Sequence, residues 1–514
     1  MNFSMVTNSD NDTKQDLSQR TVSGSAWVFI TKVAQQGISL LQLAILGRLL
    51  DPKDFGLMGI ASLATQAIAV FIYTGYEFAL VQKVDLSEED IHTAFWVMVG
   101  RRTIIGFMLM ALSWPIASLY HVPEAVPILL AMAFTQIILG FATPVLSLWQ
   151  RELQFRKAFD YYLWSSIIGF LSGVMAAYIL RNVWALVIAT FFGTLAQVIF
   201  SYLLHPYRPR LLINRDSFRG LTSYGKWMLG SSILWFAYSQ GATAFSGWMF
   251  GVTALGLYQM AGRFALLPST LFGETILGSV FPAYSLIQQD TTRVRGAFLR
   301  VLQLSAMIIF SITALIALTL PRVFILVLGE KWTEATPLIP VIAMAGGVMA
   351  MLRTGSPLYL GTGLPRFQFN LDLVQTTVML LLLYPLGRWL GLAGLPFATL
   401  VGAVFALPIW WFGVKKTANC TFVEVARALL PALCGTGIMV VILWGGQSLD
   451  FTGHNYIGSL AWLCFLVMLS VVFFGVTVWG VQLVSSPYIT ISEMWAILKR
   501  FIAPLSPLLV RFSR

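Results

Sequence analysis

The chain has 514 residues, 57% of them hydrophobic and only 11% charged, with a formal net charge of +11. Soluble globular domains carry roughly 25% charged residues, so this composition excludes a water-facing surface, and with it soluble enzymes and soluble nucleic-acid-binding modules. No hydrophilic interval is long enough for a folded extramembrane domain, so the protein is its membrane domain.

Residues 1–23 are polar, contain Lys14 and Arg20, and lack the basic start, short apolar core and small-residue cleavage site of a signal peptide. A short disordered cytoplasmic tail is expected there. A bilayer crossing needs about 20 apolar residues. Runs of that kind predict helices near 24–46, 56–75, 93–119, 126–147, 161–181 and 184–204, which form an N-terminal lobe over 24–204. A cytoplasmic inter-lobe loop over 205–222 follows. Helices near 223–247, 256–281, 297–320, 336–355, 367–387 and 391–414 form a C-terminal lobe over 223–414, and two more near 427–446 and 458–484 occupy 415–484. Residues 485–514 make a cytoplasmic tail in which Tyr488 to Phe501 mixes apolar residues with Glu493, Lys499 and Arg500, the pattern of an amphipathic helix on the membrane surface. The expected fold is an all-α membrane protein of about fourteen transmembrane helices in two pseudo-symmetric six-helix lobes plus two C-terminal helices.

Lysine and arginine placement sets orientation. With the amino terminus inside, most of the 33 basic residues fall in cytoplasmic segments and their flanks, whereas Arg48, Lys53, Arg181, Arg322, Lys331 and Arg388 fall outside. An even number of crossings with both termini cytoplasmic fits this bias, and the positive charge is mostly a topology signal. A shift of 200 positions aligns Trp27 with Trp227, Ser39 with Ser239, Ala44 with Ala244 and Gly47 with Gly247. It also aligns Gly56-Leu57 with Gly256-Leu257 and Ala61 with Ala261. The paired glycines bracket the turn between two helices in each lobe, where they predict a tight turn with positive φ.

Several polar residues interrupt apolar helices. Lys32, Gln35, Gln36 and Ser39 fall within about a 100° arc of helix 1. A charge at membrane depth costs roughly 3 kcal/mol or more unless it faces a polar cavity, so this stripe is expected to line a substrate cavity; the alternative is interhelical hydrogen bonding that fastens the lobe. Arg101 and Arg102 interrupt helix 3 and point about 100° apart. A helix starting near Thr93 places both near the midplane, with Arg101 the candidate for the cavity; one starting at Thr103 places both at the cytoplasmic edge. Arg263 and Glu274 on helix 8 share a face with Pro268 and Gly273 between them. They make either a buried ion pair or a substrate and ion-coupling pair, with Glu274 as the coupling residue. Arg353 at the end of helix 10 is expected to snorkel, and Arg366 and Asp372 at the start of helix 11 carry either reading.

There is no Walker lysine loop, so ATP does not drive the chain directly, and no cofactor is expected beyond coupling to a proton or sodium gradient. Cys420, Cys434 and Cys464 form no CxxC, and His92, His121, His205 and His454 are scattered at helix or loop edges. No metal site, disulfide framework or catalytic residue is expected.

The order of features resembles the polysaccharide exporters of the MOP superfamily, the Wzx-like oligosaccharide flippases. The resemblance covers Gly24 to about Val484 and is carried by GSAWVFITKVAQQGISLLQLAILGRLLDPKDFGLMGIA at 24–61, LVQK at 80–83 and TAFWV at 93–97. WQRELQFRKAFDYY at 149–162, YGKWMLGSSILWF at 224–236, GLYQMAGRFALLP at 256–268 and PAYSLIQQD at 282–290 add to it. It implies two lobes around a cationic central cavity. It also implies outward movement of undecaprenyl-diphosphate-linked repeat units for exopolysaccharide, capsule or lipopolysaccharide assembly at the bacterial inner membrane. The partners it implies are that lipid-linked oligosaccharide, membrane lipid, and the polysaccharide polymerase and export machinery, with no nucleic acid. Lys32, Arg101 and Arg263 then offer counter-charge to the diphosphate, and the lobes rock for alternating access. A multidrug or cation antiporter of the same superfamily should show an acidic cavity. A membrane polymerase or ligase should carry a large outside loop; the longest here, such as Leu320 to Thr336, are short.

Overall fold

The computed structural model describes residues 6–72, 80, 86–212, 214, 225–266, 280, 284–448 and 456–485. Among them every regular element is helical. The chain divides into two units, the first running to Ser232 and the second beginning at Ile233. The division falls inside a helix rather than at the expected boundary after residue 222, and the two helices expected as an appendix over 415–484 belong to the second unit.

Unit 1 contains α1 (Val6–Leu49), α2 (Pro52–Phe71), α3 (Glu88–Leu119), α4 (Ala125–Gly140), α5 (Val145–Arg151), α6 (Phe155–Leu180) and α7 (Trp184–Leu203). The tail expected to be disordered is helical from Val6. No proline or glycine stands between Val6 and Ser23, and once α1 has nucleated, extending it over polar residues costs little. The α1–α2 break uses Asp51, whose N–H donates to Asp54 Oδ2 at 2.9 Å, and Pro52, whose fixed φ suits a first helical turn. Gly47 and Gly56 lie inside the helices, so the expected positive φ at the paired glycines is not found. In unit 2 the positive φ falls on Gly251, at +87°. The repeat itself holds in register: the helix breaks are at Leu50–Asp51 and at Gly251, about 200 residues apart.

α4 and α5, expected as one helix, are bent by 47° across Phe141–Pro144. α6 and α7 approach closely because small residues face each other; a Cβ on Gly169 would lie 3.1 Å from the Ala189 carbonyl oxygen and 3.3 Å from Gly193 Cα. Behind α7, the segment 205–214 is fastened to the first turns of α3. The Tyr207 hydroxyl and the Arg210 N–H reach His92 Nδ1 at 2.8 and 3.1 Å, Trp96 Nε1 donates to the Arg210 carbonyl at 2.9 Å, and Asn214 Nδ2 donates to Glu89 Oε2 at 2.7 Å.

Unit 2 takes up the rest of α8 (Gly225–Phe250), then α9 (Val252–Ala265), α10 (Thr291–Leu328), α11 (Leu338–Leu352), the short α12 (Ser356–Gly361), α13 (Pro365–Leu390), α14 (Gly394–Phe405), α15 (Leu407–Ala418), α16 (Phe422–Ser448) and α17 (Tyr456–Ser485). Its core gathers Phe298, Leu302, Leu358, Tyr359 and Trp410, with the Tyr359 hydroxyl donating to the Trp410 carbonyl at 2.8 Å. The expected helix 391–414 is two pieces, α14 and α15. The chain folds back between α13 and α14, where Gly391 has φ +64° and a Cβ on Gly394 would overlap the Leu386 carbonyl oxygen. Among the described residues, nine helical stretches are long and apolar enough to cross a membrane, or ten if the bent α4–α5 pair is one span. The protein is an all-α, multi-pass membrane protein.

Candidate functional site

In unit 1 the predicted stripe is present on α1, where Lys32, Gln35, Gln36 and Ser39 are all half-buried. Gln42 continues it for another turn and lies against α6, where Gly173 leaves room: a Cβ there would come 3.2 Å from Gln42 Nε2. Trp27, midway along α1, and Phe159, in the first turns of α6, pack together with ring centroids 5.3 Å apart.

α3 begins at Glu88, with Ser87 Oγ accepting from the Asp90 N–H at 3.2 Å and Asp90 Oδ2 accepting from the Ser87 N–H at 2.9 Å. Three acidic residues occupy its first turn, at the positive end of the helix dipole. This overturns a start at Thr103. Arg101 therefore lies about 20 Å along the axis from the first residue, well inside the helix. Arg102 donates from Nη1 to Gln136 Oε1 on α4 at 2.7 Å. Gly140, one turn beyond Gln136, permits this approach, since a Cβ there would lie 2.9 Å from Arg102 Cβ. Arg101 and Arg102 are both half-buried.

In unit 2, Arg263 is in the last turn of α9 with its side chain exposed. Glu274, Pro268 and Gly273 lie outside the described residues, as does the expected amphipathic segment 488–501. Arg353, expected to snorkel, is half-buried against an aromatic ring. It sits in a 3₁₀ turn, Arg353–Gly355, between α11 and α12, and its guanidinium carbon lies 4.2 Å from the centroid of Trp235 on α8. Nearby, Asp372 on α13 accepts from Gln368 Nε2 at 3.0 Å and from Gln375 Nε2 at 2.9 Å, and the Ser356 hydroxyl is 2.5 Å from Gln368 Oε1. The glutamines are four before and three after Asp372, the spacing that shares one helix face.

Sequence reasoning missed Gln42, Gln136, Trp235, Tyr238, Gln368 and Gln375. Spacing along α13 could have found the last two, whereas pairing Arg353 with Trp235 needs the tertiary fold. Among the described residues no group of three or more His, Cys, Asp or Glu is placed to hold a metal ion.

A family model described as "Polysaccharide biosynthesis protein" matches residues 45–337. The chain is 25% identical over 338 residues to the succinoglycan biosynthesis transport protein ExoT of Rhizobium meliloti, covering 66% of this chain and 68% of that one. It is 24% identical over 336 residues to the lipopolysaccharide biosynthesis protein WzxC of Escherichia coli, covering 64% and 68%. Among solved structures, the lipid II flippase MurJ in an inward closed conformation matches with a TM-score of 0.69 at 12% identity, over 88% of this chain and 97% of that one. An inward-facing multidrug MATE transporter of the MOP superfamily matches with a TM-score of 0.54 at 16% identity, over 75% and 95%. These two show a shared fold.

Proposed function

The chain belongs to the polysaccharide biosynthesis protein family, and from that premise we propose that it is a flippase. It moves undecaprenyl-diphosphate-linked oligosaccharide repeat units across the bacterial inner membrane by alternating access, for exopolysaccharide, capsule or lipopolysaccharide assembly. The observation that carries this is the family match, supported by relatives whose names place them in succinoglycan and lipopolysaccharide biosynthesis.

The residues give the proposal its chemistry. A sugar head cannot cross hydrocarbon unaided because its hydroxyls would lose their hydrogen bonds to water. In unit 1, Lys32, Gln35, Gln36 and Ser39 offer donors and acceptors to such a head, and Arg101 adds a cation. In unit 2, the exposed Arg263 offers the planar fork that matches diphosphate oxygens. Glu274 is the proposed coupling acid for a proton or sodium gradient. The reading is a transporter rather than an enzyme, with polymerase and export machinery as downstream partners.

The experiment is reconstitution of the purified chain in proteoliposomes with lipid-linked oligosaccharide in one leaflet. Appearance of the same molecule, unchanged in mass, in the opposite leaflet is the expected result. A product of new mass means an enzyme, and no movement under an imposed gradient overturns the flippase reading.

A further inference from the structure

Inside unit 2, three separate elements bring six polar or aromatic side chains to one place. α8 contributes Trp235 and Tyr238, three residues apart and therefore neighbours on one face. The 3₁₀ turn contributes Arg353, and α13 contributes Gln368, Asp372 and Gln375. Tyr238 is in electrostatic reach of both Arg353 and Asp372, and those two are in reach of one another.

Much of the polar capacity of this cluster is unused. A guanidinium carries five N–H donors, yet among the described residues the Arg353 side chain makes no hydrogen bond and no short ion pair, and its guanidinium lies over the Trp235 ring. Trp235 keeps 45% of its surface exposed. Tyr238, 4% exposed, and Gln375, 2% exposed, each bury an oxygen that has no hydrogen-bond partner among the described residues: the Tyr238 hydroxyl and Gln375 Oε1. A buried polar atom left without a partner costs roughly 1–3 kcal/mol, so a ligand that satisfies both gains that much in reverse.

The charges select the ligand. Asp372 accepts from two glutamine amides, and an ionised carboxylate can only accept, so both amides turn their N–H groups toward it. Those N–H groups and the Arg353 cation oppose a metal ion. The carboxylate opposes a phosphate. What remains is a neutral molecule with many hydroxyls, each able to donate to Asp372 or Gln375 Oε1 and accept from Arg353 or Tyr238, and with an apolar C–H face to lie against an indole. We propose that Trp235, Tyr238, Arg353, Asp372, Gln368 and Gln375 form a saccharide subsite in unit 2 that recognises a sugar ring of the cargo head. This rests on the flippase reading and extends it: the subsite reads the sugar, whereas Arg263 answers the diphosphate.

The test uses the full chain in detergent and two probes, the undecaprenyl-diphosphate-linked repeat unit recovered from host membranes and undecaprenyl diphosphate alone. Asp372→Asn keeps the shape of the side chain and removes its charge. It is expected to bind the sugar-bearing lipid about tenfold more weakly, the effect of one charge-assisted hydrogen bond, while binding the bare lipid as the unaltered protein does. Trp235→Phe, which keeps an aromatic ring but shrinks the platform, is expected to move in the same direction. Arg353→Lys keeps the charge, removes the fork and stands in if either of the others fails to fold. Equal weakening for both lipids, or none for either, overturns the subsite. A variant that loses sodium binding and keeps saccharide binding overturns it in favour of a cation site. An unaltered protein that binds neither lipid overturns the flippase reading itself, and the subsite with it.

Discussion

Nη1 of Arg102 lies 2.7 Å from Oε1 of Gln136, joining α3 to α4 within unit 1. Arg101, its neighbour in sequence, points about 100° away on the same helix, so the two arginines have different tasks. Arg102→Ala is expected to leave Gln136 without its partner and destabilise the unit by about 1–3 kcal/mol, read as a lower unfolding temperature of the purified protein. Arg101→Ala is expected to reduce polymer export. Reversal of the two phenotypes would exchange the roles.

Lys32 heads the polar stripe of α1. Its replacement by alanine is expected to abolish polymer export while membrane levels stay normal, with Trp27 and Phe159 still fastening α1 to α6. Gln35→Ala and Gln36→Ala should each reduce export less, since a neutral hydrogen bond contributes only about 0.5–1.5 kcal/mol. Normal export by the Lys32 variant would leave the stripe a structural seam; loss of the protein from the membrane would say the same.

Helix positions were legible in the sequence because a crossing imposes a length, and a length of apolar residues can be read without knowing what it packs against. The stripe on α1 was legible for a related reason, since 3.6-residue periodicity is a local property. The 200-residue repeat also carried through, though to the wrong atoms: the breaks align, but Asp51 and Pro52 make one turn and Gly251 the other. Breaks that depend on tertiary crowding were not legible, such as the bend between α4 and α5 or the fold-back at Gly394 against Leu386. The aromatic partner of Arg353 was not legible for the same reason. A cation near a helix end snorkels when nothing holds it, and the ring that holds it is more than a hundred residues earlier in the chain.

His205, just beyond α7, accepts the Tyr207 N–H at Nδ1, 3.0 Å away. An amide can only donate, so this nitrogen is unprotonated. Burial holds the imidazole below its usual value of 6.5, with Lys157 and Arg208 adding to that and Glu152 opposing it. A folded-state value below the unfolded one means stability that is complete above about 6.5 and lost as pH falls through the folded value. The unfolding temperature should therefore drop between about pH 7 and pH 5. His205→Asn, which retains an acceptor near Nδ1 and does not titrate, should drop less. Equal drops would mean that His205 does not govern the acid sensitivity of this segment.

Cys420, between α15 and α16, is buried, and burial pushes its thiol up to about 11 against the opposing influence of Arg295. The thiolate is the reactive form, so Cys420 should resist a membrane-permeant maleimide at neutral pH in the folded protein. Cys434 and Cys464 lie on the outer surface of the membrane-spanning α16 and α17, where lipid rather than water surrounds a thiol. Peptide mass mapping should show the Cys420 adduct only after denaturation. Rapid modification of Cys420 in the folded protein would mean that this end of unit 2 opens readily.

Two sets of contacts within unit 1 mark the two ends of α3. Lys53 Nζ lies 2.7 Å from Glu124 Oε2, tying the turn after α1 to the turn after α3. At the other end of α3, Glu89 and His92 hold the 205–214 segment. The two sets therefore mark opposite ends of a helix of 32 residues, about 48 Å long, which exceeds the roughly 30 Å hydrocarbon core. Arg208 and Arg210 stand at the second end, and the positive-inside bias predicts a cytoplasmic location for it. In a chain with its native cysteines removed, Lys53→Cys should react with an impermeant maleimide in intact cells. Arg208→Cys should react only after permeabilisation. Both side chains are solvent-exposed or half-exposed, and an exposed pair such as Lys53–Glu124 contributes only about 0–1 kcal/mol, so neither change should disturb the fold. The opposite labelling pattern would invert the protein in the membrane and place its amino terminus outside.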